Sequence, residues 1–154
     1  MPWSGPAGGG GGGGGNTVSV HHVRFDGADQ AVADGGTVPL DVLDSAGGLV
    51  LNANVITIPE GATASLAGSV GVSNGAGDYI DARWYDVTNA QYIGSVGSTY
   101  APALTFNSHP ASVAFAFVDA TAGAVDVILR ALDSGDTTLV NGSGRTGGTI
   151  TLVS

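Results

Sequence analysis

Short runs of β-branched and aromatic residues alternate with clusters of Gly, Asn, Asp and Pro from Thr17 to Ser154. The runs recur about every 8 to 14 residues, a spacing typical of a β-sandwich or barrel. No stretch keeps the period of an amphipathic helix. The pattern predicts strands at residues 18–25, 38–42, 50–58, 63–72, 79–87, 92–96, 103–106, 112–118, 125–132 and 149–153.

Alternation within two of these strands predicts which face meets the core. In residues 63–72 the larger apolar side chains fall on one face, and small or polar side chains fall on the other. In residues 112–118 the bulky side chains Val113, Phe115 and Phe117 share one face, opposite serine and alanine. We expect each strand to place its bulky face against the core.

The strand at residues 125–132 is apolar on both faces. One face carries Val125, Val127, Leu129 and Ala131. Ile128 and Leu132 lie on the other face, beside one acidic and one basic residue. A strand covered on both sides in a small domain indicates a subunit interface, although a loop folded over the strand would have the same effect.

The composition favours an all-β fold and excludes several partners. Lys is absent, Arg occurs four times, and Glu60 is the single Glu beside twelve Asp, so helix formers are scarce. The formal net charge of −9 leaves no basic patch for nucleic acid or an anionic membrane. Without cysteine there is no disulfide, thiolate nucleophile or Cys-based zinc site.

The chain divides into an arm, residues 1–16, and one domain, residues 17–154, in which 17–46 are predicted to form extra strands or a second arm. Residues 8–15 are glycine without interruption. Ordering these eight residues without a partner would cost too much backbone entropy. The arm is either a flexible tether or a segment ordered by a partner, and Trp3, Gly8 and Gly15 are its predicted contact positions. The glycine tract neither follows a strand nor opens a helix, so it is no nucleotide-binding loop. The arm also lacks the pattern of a secretion signal, and we expect assembly in a cytosol.

Several motifs resemble one family in their order and spacing. Gly47-Gly48-Leu49-Val50 precedes residues 56–61, Ile-Thr-Ile-Pro-Glu-Gly, and a long alternating strand. Residues 82–89, Ala-Arg-Trp-Tyr-Asp-Val-Thr-Asn, precede Tyr-Ile-Gly at 92–94, and a strand ends the chain. From residue 49 to 154 the sequence resembles the globular-head jelly roll of the complement and tumour-necrosis-factor superfamily, particularly the versions carried by bacteriophage head and fibre proteins.

The resemblance implies an all-β antiparallel jelly-roll sandwich, TNF-like, that assembles as a homotrimer and has no catalytic activity. Together with the doubly apolar pattern of residues 125–132, it leads us to expect Val125, Val127, Leu129 and Ala131 at the trimer interface. The implied function is that of a virion structural protein, a capsid decoration or head-fibre module whose partner is the major capsid protein or another virion protein. The alternatives are a tail-fibre tip that recognises host glycan or protein through loops at 73–78 and 141–147, a bacterial carbohydrate-binding module and a hydrolase.

The polar residues indicate no catalytic, cofactor or metal site. His21 and His22 are adjacent on a strand, so their side chains point to opposite faces and cannot chelate one metal, although three copies of either could meet on a threefold axis. Two groups of aspartates have oxygen ligands of the kind that calcium uses, but turn and capping roles explain them better. These groups are Asp26, Asp29 and Asp34, and Asp133 with Asp136.

Arginine and aromatic residues cluster in the predicted strands at 79–87 and 92–96. Arg83 and Arg130 are expected to pair with aspartates across strands or subunits. Trp84, Tyr85 and Tyr92 form either an aromatic ligand platform or, more commonly for such a cluster, core and sheet packing.

Overall fold

The computed structural model describes residues 15–44, 48–72, 79–100, 109–110, 112–134, 139–140 and 145–154. The strands are β1 Val18–Phe25, β2 Gln30–Ala31, β3 Val42–Leu43, β4 Val50–Asn52, β5 Val55–Ile58, β6 Thr63–Ser69, β7 Tyr79–Asp86, β8 Gln91–Tyr100, β9 His109–Pro110, β10 Ala114–Asp119, β11 Val125–Ser134, β12 Leu139–Val140 and β13 Thr146–Val153. The described residues contain no helix long and apolar enough to cross a membrane.

The strands form an antiparallel jelly-roll sandwich. A five-stranded sheet has the order β10-β6-β13-β1-β3, a six-stranded sheet has the order β4-β5-β11-β7-β8-β9, and β12 pairs with β2. The pairings are nested: β1 pairs with β13, β5 with β11, β6 with β10, and β7 with β8. Nested pairing of this kind is what a long hairpin produces when it folds over on itself, and it confirms the predicted fold class.

The core lies between the inner faces of the two sheets, with Trp84 of β7 fully buried in it. The indole Nε1 donates a hydrogen bond to the carbonyl oxygen of Ala114, at 3.0 Å. A Cβ on Gly68 would lie 2.9 Å from Cζ2 of Trp84. Since Ala114 and Gly68 are register partners on β10 and β6, the largest core side chain rests on the smallest residues of the opposite sheet.

The position of Trp84 reverses the predicted faces of residues 112–118. The small face, Ala114 and Ala116, is buried together with Val118, whereas Phe115 and Phe117 are exposed. The expectation that the bulky face meets the core was therefore wrong. The indole fills the space above Ala114, so a phenylalanine at that position has no room.

Two predicted strands are not single continuous strands in the structure. Residues 50–58 form the hairpin β4–β5, in which Ala53 and Asn54 both have positive φ, at 47° and 70°. Two such residues between paired strands make a type I′ turn. Of residues 38–42, only Val42 is in a strand, while Val38 and Leu40 are buried. The predicted strand at 103–106 lies outside the described residues.

Residues 35–38 run along the edge of β11 beyond its pairing with β5. The Val38 and Gly35 amides donate to the carbonyls of Leu129 and Ala131, both at 2.9 Å, and the Ala131 amide donates to Gly36. These bonds satisfy the backbone groups on that edge of β11. On the outer face of the strand Ile128 is only 8% exposed in the single chain, so this position is covered without a second copy.

Candidate interaction surfaces

The outer face of the five-stranded sheet carries exposed apolar side chains. Alternation along β1 and β10 turns Val18, Val20, Phe115 and Phe117 outward, where they are 63, 53, 57 and 63% exposed. We call these four residues, with the small side chains of β6 and β13 between them, the apolar sheet face. Exposed apolar side chains that form one continuous patch mark an interaction surface.

The strand register gives the apolar sheet face its shape. One row across four strands reads Phe117, Ser65, Thr151 and Val20. Bulky side chains therefore stand at both margins, with short hydroxyl side chains between them. The row spans about 14 Å, because neighbouring strands lie about 4.8 Å apart. The result is a shallow trough with apolar margins.

Among the described residues of β1, β6, β10 and β13, the Asp and Arg side chains on the apolar sheet face lie at its two ends. Asp119 is in the last row, beside Thr63, Val153 and Val18. Arg24 lies at the opposite end and forms an ion pair with Asp44. The two middle rows, through Phe117 and Phe115, carry no Asp, Glu or Arg on these four strands.

A polar cavity of about 440 Å³ opens at the Arg24 end of the same face. Its lining includes His22, Arg24, Asp44, Arg145 and Thr149. The hydrogen bond from Arg24 to Asp44 is the main reason that the pKa of the guanidinium is raised. A second carboxylate, that of Asp26, lies 3.8 Å from the same guanidinium. Because two carboxylates lie beside Arg24, its guanidinium has little positive charge to offer an anion in this cavity.

The outer face of the six-stranded sheet carries a second cluster, formed by Arg83, Tyr85, Tyr92 and Arg130, which we call the arginine–tyrosine cluster. The Arg130 guanidinium lies over the Tyr85 ring, 4.4 Å from its centroid, and Arg83 lies over Tyr92 at 6.0 Å. The two rings meet edge to face, with centroids 5.0 Å apart. Of the three aromatic residues expected to act together, the tyrosines do so on the surface while Trp84 belongs to the core.

The structure places the residues assigned to the trimer interface inside one chain. Val125, Val127, Leu129 and Ala131 are at most 6% exposed, because the five-stranded sheet covers them. They have no surface with which to contact a second copy, so any interface between copies must use other residues. Of the predicted arm positions, Gly15 is exposed, whereas Trp3 and Gly8 lie outside the described residues.

The histidines and aspartates occupy separate positions. His21 is buried, with its Nε2 2.8 Å from the Ser19 hydroxyl, and His22 is exposed on the opposite face. Asp34 accepts hydrogen bonds from the amide and hydroxyl of Ser134, and Asp133 accepts one from Tyr79. Among the described residues, no three His, Asp or Glu side chains are grouped to hold a metal ion.

Comparison with known proteins supports the fold. No protein-family description matches the chain, and no curated protein sequence is similar to it. Among solved structures, the crystal structure of murine APRIL at pH 8.0, a TNF-family jelly roll, aligns with a TM-score of 0.52 at 11% identity. The alignment covers 88% of this chain and 98% of the APRIL chain. At this identity the likeness shows a TNF-like fold and nothing about function.

Proposed function

We propose that this chain is a non-catalytic structural protein of a bacteriophage particle, which decorates the capsid as a homotrimer. The observation that carries the trimer is the apolar sheet face, with two phenylalanines and two valines more than half exposed. The resemblance of residues 49–154 to phage head and fibre modules supports the particle and the threefold symmetry.

Charge favours further copies of the chain as the occupant of the apolar sheet face. At a net charge of −9 the copies repel one another at most orientations. The rows through Phe117 and Phe115 carry no carboxylate of β10, β6 or β13, so copies that meet there bury apolar surface without desolvating charge. An interface on this face replaces the one assigned to β11.

In this proposal the arm, residues 1–16, attaches the trimer to the capsid. A glycine tract gains an ordered conformation only when a partner supplies the contacts. A variant that lacks residues 1–14 should keep the mass of a trimer and lose its place on the particle. Loss of the trimer in that variant would contradict the division of roles.

The trimer is tested by the mass of the purified full chain in solution. Multi-angle light scattering at micromolar concentration should give three times the mass of the chain. A monomer at that concentration would contradict the trimer, whatever the location of the protein.

The location is tested by imaging of particles that carry a labelled chain. We expect copies over the whole head, in numbers set by icosahedral symmetry. A few copies at the tail would contradict capsid decoration and favour the tail-fibre tip that recognises host glycan or protein.

A further inference from the structure

Two arginines occupy directly opposed positions on the outer face of the six-stranded sheet. Arg83 of β7 and Arg130 of β11 are direct register partners, and like charges at directly opposed positions destabilise a sheet. The chain has thirteen acidic residues, yet both ion pairs recorded among the described residues involve Arg24. The expectation that Arg83 and Arg130 pair with aspartates is not met within the described chain.

Both side chains are nevertheless held in position. Nε of Arg130 donates to the carbonyl of Gly35 at 2.7 Å, and Nε of Arg83 donates to that of Ile93 at 3.3 Å. Each guanidinium also rests on a tyrosine ring. Among the described residues no acceptor is recorded for the terminal Nη groups, so two ordered sets of N–H donors remain for a ligand.

The donors and rings together suit one kind of ligand. The guanidinium fork matches the planar, two-oxygen geometry of a carboxylate. Tyr92 is 38% exposed, so an aromatic surface with a hydroxyl lies beside the donors for a ligand that is partly apolar and partly polar. A sugar that carries a carboxylate combines these properties in one ring.

We propose that the arginine–tyrosine cluster is a binding site for carboxylate-bearing saccharides such as uronic acids. Arg83 and Arg130 bind the carboxylate, and the exposed side of Tyr92 contacts the sugar ring. The site lies on the sheet opposite the apolar sheet face. In the proposed trimer the site points away from the threefold axis, toward the surroundings of the particle. Only this orientation, and not the binding itself, rests on the proposed function.

The test is calorimetric titration of the full chain with short oligomers of galacturonic acid. We expect saturable binding that weakens with added salt and no binding of the neutral galactose oligomer of equal length. Arg83→Gln and Arg130→Gln should each lower the affinity about tenfold or more, because each removes a charge-assisted hydrogen bond. Arg83→Lys, which keeps the charge and loses the fork, should bind more weakly than the unaltered chain.

Arg145→Gln is the matched control, because it removes one positive charge outside the cluster and should leave the affinity unchanged. An equal effect of Arg145→Gln, no binding of the acidic oligomer, or equal binding of the neutral one would overturn the proposal. Equal affinity for a dextran sulfate oligomer, which is anionic but has no carboxylate, would overturn recognition of the carboxylate, and preferential binding of a poly-glutamate peptide would indicate an acidic protein segment instead. The titration is repeated on the Phe117→Asp variant, in which binding should persist, so failure of the trimer and failure of this site are separate results.

Discussion

At the scale of single residues, the closest packing occurs where β8 passes over the edge of β10. Gly94 has a φ of 71°, and a Cβ on it would overlap the carbonyl oxygen of Phe115. A Cβ on Gly97 would likewise overlap the amide nitrogen of Ala114. Both obstacles are backbone atoms, which cannot rotate away as a side chain can. The glycines therefore allow the two strands to approach each other.

Gly94→Ala should destabilise the fold far more than Gly61→Ala. Both glycines have positive φ, but a Cβ on Gly61 meets no atom within 4 Å. Gly61→Ala therefore reports the conformational cost alone, about 1 kcal/mol. Gly94→Ala adds displacement of β10 and should cost about 3 kcal/mol or more in all. Denaturant unfolding of the two variants measures the difference, and equal losses would show that β10 moves aside without cost.

Asp119 provides a pH-dependent contact in the turn after β10. The hydroxyl of Thr121 donates to its carboxylate at 2.6 Å and the amide of Thr121 at 3.0 Å. These two bonds lower the pKa of Asp119, the side-chain bond more than the backbone bond. A lowered pKa in the folded chain means that the stabilisation is present above the unfolded pKa, about 3.9, and is lost as the pH falls through the folded value.

Thr121→Val removes the hydroxyl bond and should raise the pKa of Asp119 toward its ordinary value. Titration of the carboxyl carbon by NMR measures the shift. The variant should melt below the unaltered chain near neutral pH, and the gap should narrow as the pH falls below the folded pKa. A gap that is independent of pH would assign the effect to packing of Thr121 and not to its bond with the carboxylate.

At the scale of elements, alternation alone predicted the inward face of β6 and failed for β10. In β6 the larger side chains are also the core side chains, as in Leu66 and Ala64. In β10 the inward Ala114 lies against Trp84, so the core residue that selects a small side chain there belongs to another strand. Register between distant strands is not contained in the pattern of either one, and the face of β10 was not predictable from its own residues.

Gly68 and Trp84 should be energetically coupled across the two sheets. Gly68→Ala brings a Cβ to 2.9 Å from the indole and 3.3 Å from Cδ2 of Leu129, an overpacking that costs about 1–3 kcal/mol. Trp84→Phe removes the hydrogen bond to Ala114 and leaves a void, at about 2–4 kcal/mol.

The double variant should be more stable than the sum of the two losses predicts, by about 1 kcal/mol, since the smaller ring makes room for the added methyl group. The free energies of unfolding of all four chains complete the cycle. Additive losses would show that β6 shifts away from the indole without resistance.

At the scale of the whole molecule, the all-β jelly roll was predictable because composition, strand spacing and turn residues all indicated it. The surface that we propose for contact between copies was not. The apolar strand β11 satisfied the pattern of an interface, but a doubly apolar strand also results when its own chain covers the outer face, and Ile128 on that face is buried in the single chain. The arginine–tyrosine cluster joins residues from three strands, and only the register of β7 with β8 and β11 brings them together.

Phe117→Asp should convert the proposed trimer into folded monomers. Phe117 is 63% exposed in the single chain, so the substitution costs little in folding. In an assembled interface the same carboxylate is buried without a partner, and each copy brings one such charge to an interface between chains that are already acidic. Phe115→Asp should act in the same way.

Val50→Asp is the matched control. Val50 is 55% exposed on the other sheet, and its substitution adds the same negative charge away from the apolar sheet face. Light scattering should give the mass of one chain for the two phenylalanine variants and of three for the control, with thermal melting to show that all are folded. Dissociation by Val50→Asp as well would mean that net charge alone disrupts the assembly, and a trimer that survives Phe117→Asp would move the interface away from the apolar sheet face.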